Sequence, residues 1–163
     1  MFTIEPVTLT MSCLLMFAFS VPFIYHGQKN KAINKKLLAN LNDLANRKGA
    51  NPTEVDTWRC RYALGLDQKE NVLVYLRNDT DSISYSLDLA EYKNVQLIKK
   101  FQVENGKELT TKLPEYVGLQ LIPKLPSAEP VALEIYDAEM YSDLLGETVM
   151  ADKWVAILNK QLN

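Results

Sequence analysis

The pattern of apolar and polar positions changes period three times along the chain. From Val7 to Tyr25, VTLTMSCLLMFAFSVPFIY, no charged residue appears across 19 positions. A helix rising about 1.5 Å per residue needs roughly 20 such residues to cross a hydrocarbon core about 30 Å thick, so this run predicts a single N-terminal transmembrane helix. Pro22 predicts a bend near its exit, since proline removes a helix donor. Thr8, Thr10, Ser12 and Ser20 are small hydroxyl residues that suit packing against a neighbouring helix.

From Asn34 to Gly49 the pattern is helical and amphipathic. Leu37, Leu38, Leu41, Leu44 and Ala45 fall on one face and Lys35, Lys36, Asn40, Asn42, Asp43 and Arg47 on the others. Gly49 is the expected stop, with Arg47 and Lys48 in the last turn. The apolar face must be covered by the chain's own domain, by the bilayer or by a partner's helix; in the last case Leu37, Leu41 and Leu44 are interaction residues.

From Asp56 the period becomes two. In DTWRCRYALGL, Trp58, Cys60, Tyr62 and Leu64 alternate with Arg59 and Arg61, which predicts one half-buried strand. Further strands are expected at Val72 to Leu76, Ile83 to Leu89, Asn94 to Val103, Glu108 to Leu113, Val117 to Ile122 and Val131 to Tyr136. Asn105-Gly106 signals a hairpin, and the stretch Pro123 to Pro130 a loop. Helical spacing returns at the end, with Ala151, Trp154, Val155, Leu158 and Leu162 on one face of a helix within Gly146 to Leu162. Trp154 is expected to plug the core where this helix crosses it. The sum is a transmembrane helix plus an α+β domain of about seven antiparallel strands and a C-terminal capping helix.

Charge orients the whole. Met1 to Pro6 holds Glu5 and no Lys or Arg, unlike the positive start of a secretory signal. Lys29, Lys31, Lys35 and Lys36 follow the apolar run, and positive flanks stay on the cytoplasmic side. The expected layout is an external N-terminus and span in residues 1–26, a basic amphipathic juxtamembrane helix and linker in 27–52, and a cytoplasmic domain in 53–163. Residues 27 to 61 carry eight Lys or Arg against three acids, while residues 62 to 163 carry ten against sixteen. The four lysines could meet anionic lipid headgroups. The acidic domain argues against a nucleic-acid partner. Cys13 and Cys60 fall in different segments and cannot pair.

The element order resembles the pleckstrin-homology-like fold, a partly open barrel of seven strands closed by a helix. The phrases GLDQKENVLVYL (Gly65 to Leu76), SYSLDLAEYKNVQLIKK (Ser84 to Lys100) and ADKWVAILNKQL look like membrane-anchored, uncharacterised proteins of the Bacteroidota. The resemblance implies binding of lipid, peptide or protein rather than catalysis. Where lipid-binding members resemble a basic cradle, the loop between Leu66 and Val72 has Asp67, Lys69 and Glu70, which does not favour an inositol phosphate. Arg59, Arg61, Lys99 and Lys100 could form another basic patch or simply a solvated strand face.

Candidate chemistry is sparse. His26 is the single histidine and has no ligand-spaced companion, so no metal or cofactor is expected. Asn78 to Ser82, NDTDS, has alternate acids but lacks the glycine and glutamate that a calcium loop needs. No nucleophile and base stand together in the pattern. The expected function is a non-enzymatic accessory or assembly subunit of a membrane complex, with integral membrane subunits as partners; the alternatives are a tethered peptide- or lipid-binding module and an enzyme with an unrecognised site.

Overall fold

A computed structural model describes residues 6–79, 82–101, 103–104, 107–108 and 113–163, with backbone only at positions 6, 8, 22–24, 26, 103–104 and 107–108. Helix α1 spans Pro6–Asn46, β1 Glu54–Trp58, β2 Tyr62–Asp67, β3 Val72–Arg77, β4 Ile83–Asp88, β5 Tyr92–Lys100, β6 Val103–Glu104, β7 Lys107–Glu108, β8 Tyr116–Pro123, β9 Val131–Asp137 and α2 Glu147–Leu162. All pairing is antiparallel, in an open sheet ordered β1-β2-β3-β4, a second ordered β5-β8-β9, and the short pair β6-β7. The fold is α+β, with seven strands in two sheets and a C-terminal helix.

The apolar run and the amphipathic stretch are one helix, not two. α1 continues through Pro22 for 41 residues, about 60 Å at the helical rise. Among the described residues no helix is long and apolar enough to cross a membrane; positions 8 and 22–24, inside the run expected to do so, lie outside the described side chains. α1 ends through paired bonds characteristic of a left-handed stop. The Ala50 N–H reaches Ala45 O at 3.1 Å and the Gly49 N–H reaches Asn46 O at 3.0 Å, with Gly49 at φ +72°.

The second half of α1 lies on the first sheet. Leu37, Leu41, Ala45 and Ala50 are buried with Ala63, Val74 and Leu76, and Leu44 packs at the margin. Of the three covers weighed for this face, the chain's own domain is the one observed, and Leu37 and Leu41 are 1% and 0% exposed. Because α1 covers one face and the main core the other, β2 is buried at every position. That explains the small residues Ala63 and Gly65 on the helix side. A Cβ on Gly65 would meet Leu41 Cδ2 at 3.0 Å and Pro52 Cβ at 3.1 Å. Gly65→Val is therefore expected to cost about 1–3 kcal/mol by overpacking, read as a lower urea midpoint with faster amide exchange in Leu37–Ala45.

The single strand expected from Asp56 to Leu66 is instead the β1-β2 hairpin. Arg59 and Cys60 both take left-handed backbone, at φ 54° and 52°, and the Arg61 N–H closes the turn on Trp58 O at 3.1 Å. Alternation runs on through the turn, and neither residue is the Gly or Asn that usually marks it. The strand expected over Glu108 to Leu113 is described only at Lys107–Glu108; positions 109–112, and Asn105-Gly106, lie outside the described residues.

The main core lies between the sheets. Tyr62, Leu64, Leu66, Leu73 and Tyr75 meet Val95, Val117, Leu119, Leu121, Leu133 and Ile135, and α2 adds Ala151, Trp154 and Leu158. Trp154 is fully buried, as its helical position implies, and its indole N–H donates to Asp56 Oδ2 at 2.8 Å. Asp67 joins the linker to the β2-β3 turn. Its carboxylate accepts from the backbone N–H of Asn51 at 2.7 Å, Lys69 at 2.9 Å and Glu70 at 3.1 Å. The Asn51 bond, followed by the Glu70 and Lys69 bonds, holds its carboxyl below the ordinary value. A depressed folded value stabilises above the unfolded pKa, about 3.9, and that contribution is lost as pH falls through the folded one. Asp67→Ala is expected to lower the urea midpoint at neutral pH, and its difference from wild type to shrink below about pH 4.

Candidate functional site

The first half of α1 leaves its side chains uncovered. Every described position from 7 to 32 is exposed. Val7, Leu9, Met11, Leu14, Leu15, Met16, Phe17, Phe19, Val21 and Tyr25 are each between 55% and 75% exposed. At 100° per residue these positions surround the helix rather than forming one stripe. Thr10 Oγ1 donates to Val7 O at 2.9 Å and Ser20 Oγ to Met16 O at 2.7 Å, so these hydroxyls are satisfied within the helix without water. Lys29, Lys31, Lys35 and Lys36 follow, all exposed. His26 has no described side chain.

The four cations weighed as a basic patch or a solvated strand face are each engaged by this chain. Arg59 Nε meets Glu147 Oε1 at 2.5 Å, its Nη1 meets Asp143 Oδ1 at 3.1 Å, and the guanidinium lies 4.5 Å over the Tyr141 ring. Burial alone would lower the Arg59 pKa, but the Glu147 and Asp143 carboxylates outweigh it and the net shift is upward. Arg61 pairs with Asp79 at 3.2 Å and lies 5.9 Å from the same ring. Lys99 reaches Asp152 at 3.8 Å, and Lys100 lies 5.3 Å over Tyr116. Thus Arg59 and Arg61 come together on Tyr141, and the lysines do not join them there. The clustering of Arg59 with residues more than 80 positions away was invisible in the sequence because it depends on the left-handed turn.

A second, half-buried network crosses between the sheets. Tyr62 Oη donates to Glu134 Oε1 at 2.7 Å and Arg77 Nη1 to Glu134 Oε2 at 2.7 Å. Burial first, then the Glu134 carboxylate, pushes the Tyr62 phenol far up; burial does the same to Tyr75. Neither phenol can act as a base near neutral pH. Lys100, Glu115, Tyr116, Asp137 and Glu139 line an open cavity of about 370 Å³. Among the described residues no group of three His, Cys, Asp or Glu side chains could hold a metal ion.

The outer strands differ in how they are covered. On β5, the Asn159 amide of α2 binds Val95 twice, accepting from its N–H at 2.9 Å and donating to its C=O at 2.8 Å. On β9, Tyr75 Oη donates to Glu134 O at 2.8 Å and Trp58 Nε1 to Ile135 O at 2.8 Å. β1 is tied to α2 through Asp56, which takes Lys153 Nζ at 2.7 Å beside the Trp154 bond. β4 has no such tie among the described residues.

No protein-family profile, curated protein or solved structure matches this chain.

Proposed function

We propose that the chain is a non-enzymatic accessory or assembly subunit of a bacterial inner-membrane protein complex. The uncharged half of α1, residues Val7 to Tyr25, sits in the bilayer with the N-terminus periplasmic, and the α+β part is a cytoplasmic domain of pleckstrin-homology-like type. The observation that carries this reading is the all-round exposure of large apolar side chains in that half of α1. Nineteen helical residues span about 28 Å, close to the hydrocarbon thickness. Lys29 and Lys31 follow within about 10 Å of Tyr25, at the depth of anionic headgroups. The four-plus-three sheet order with a closing helix supports the fold resemblance.

The tethered peptide-binding alternative is less favoured at the β5 edge, because Asn159 of α2 already occupies that edge at Val95. The reading is tested by alkaline extraction of membranes followed by purification in a mild detergent. It expects retention in the membrane fraction and co-purification of integral membrane subunits at fixed stoichiometry. A soluble protein, or a monomer alone in the detergent extract, would overturn it.

A further inference from the structure

We propose that the outer edge of β4 takes an extended segment of a different protein as a fifth strand of the first sheet; this rests on the accessory-subunit reading. The direction of the free backbone groups follows from one bond. Leu89 N–H donates to Asn71 O at 2.8 Å, continuing the β3-β4 register in which Leu73 faces Leu87 and Tyr75 faces Tyr85. Antiparallel pairs alternate between bonded and unbonded. The bonded ones are therefore those of Ile83, Tyr85 and Leu87, and the N–H and C=O groups of Ser84, Ser86 and Asp88 point away from β3.

Among the described residues that edge shows few of the usual protections, and its one charged residue, Asp88, turns its carboxylate back to accept from the Ala90 N–H at 2.8 Å. Ile83–Asp88 contains no Lys, Arg or Pro, and its pairing with β3 shows no bulge. Ser86 Oγ is buried and has no hydrogen-bond partner among the described residues. The two faces of β4 differ in chemistry. Ile83, Tyr85 and Leu87 pack toward the main core, while Ser84 and Ser86 share the α1 side with their partners Leu76 and Val74. A small polar cavity of about 210 Å³ opens there between Ser84 and Asn40, Asp43 and Arg47 of α1. The segment that fits is apolar at alternate positions toward the core side and small or hydroxylic at the others, so that its polar groups can reach that cavity. Added strands draw affinity from main-chain bonds and selectivity from this alternation.

A second copy of this chain fits poorly despite the near-symmetric run Ile-Ser-Tyr-Ser-Leu. Joining β4 to β4 places the two-fold axis perpendicular to the sheet. The α1 helices packed on that sheet would then leave in opposite directions, and both could not enter one bilayer.

The test uses the full chain in its own membranes, with a photoreactive residue at position 84 or 88. Crosslinks are expected on one segment of one other protein, and moving the probe by four residues should move the crosslinked position by about four. Ser86→Pro removes an outward N–H without breaking the β3-β4 ladder, so crosslink yield should fall at least tenfold; Ser86→Val keeps the N–H and should retain most of it. Crosslinks to a second copy, an unstepped pattern, no crosslink, or full yield in Ser86→Pro with the fold intact would overturn the proposal. A parallel probe at Leu14 separates the two claims: crosslinks there to membrane subunits, with none from β4, would sink the edge proposal and leave the accessory reading standing.

Discussion

Trp154→Ala is expected to lower the stability of the domain by about 3–5 kcal/mol, measured by urea unfolding of the full chain in detergent. The ring is fully buried between α2 and both sheets, so truncation leaves a cavity that the surrounding leucines cannot close. The indole N–H also leaves Asp56, which then holds only Lys153. Natural domains are stable by only about 5–15 kcal/mol, so the loss takes a large share of the total and raises the unfolded population exposed to proteolysis by roughly 10²–10⁴-fold. Trp154→Phe restores most of the volume but not the donor. It should recover more than half of the loss if packing dominates, whereas recovery of almost none would shift the explanation to the Asp56 bond.

The second large effect is expected at Arg59. Its side chain is 11% exposed and that of Glu147 is 4% exposed, while Asp143 at 58% is well solvated and adds little. Arg59→Met strands a buried carboxylate and is expected to cost about 3 kcal/mol. The double variant Arg59→Met, Glu147→Leu removes both charges and should regain much of that loss, giving a coupling energy of at least about 1 kcal/mol in the double-mutant cycle. Additive losses would mean that Arg59 acts through its Tyr141 contact and the geometry of its turn.

These two positions mark the limits of what the sequence discloses. Trp154 was legible because helical spacing, with Ala151 three residues before it and Leu158 four after, points one face inward. The strands at 83–88, 116–123 and 131–137 were legible for the same kind of reason, a period of two bounded by turn residues, and the strand at 72–77 as a short unbroken apolar run between polar turns. The β1-β2 hairpin was not, because the pattern carries on across Arg59 and Cys60 and the left-handed turn there lacks a glycine. The partner of the α1 leucines was not fixed either, since amphipathic spacing says that a face is covered without saying by what. Ala63 and Gly65, small residues in an otherwise bulky strand, were the available hint that a helix lies close against β2. That no described side chain bonds the β4 edge, while the other edges receive such bonds, is decided only by the tertiary fold.

The membrane placement of α1 is tested most directly at Cys13, which lies in the middle of the uncharged run and is exposed in the fold. In a Cys60→Ser chain, intact membranes are treated with a water-soluble maleimide before and after solubilisation in dodecyl sulfate. Thiols react as thiolates, which do not form in hydrocarbon. The account predicts almost no labelling of Cys13 in membranes and full labelling after solubilisation. Ready labelling in intact membranes would contradict it, placing the exposed half of α1 in water.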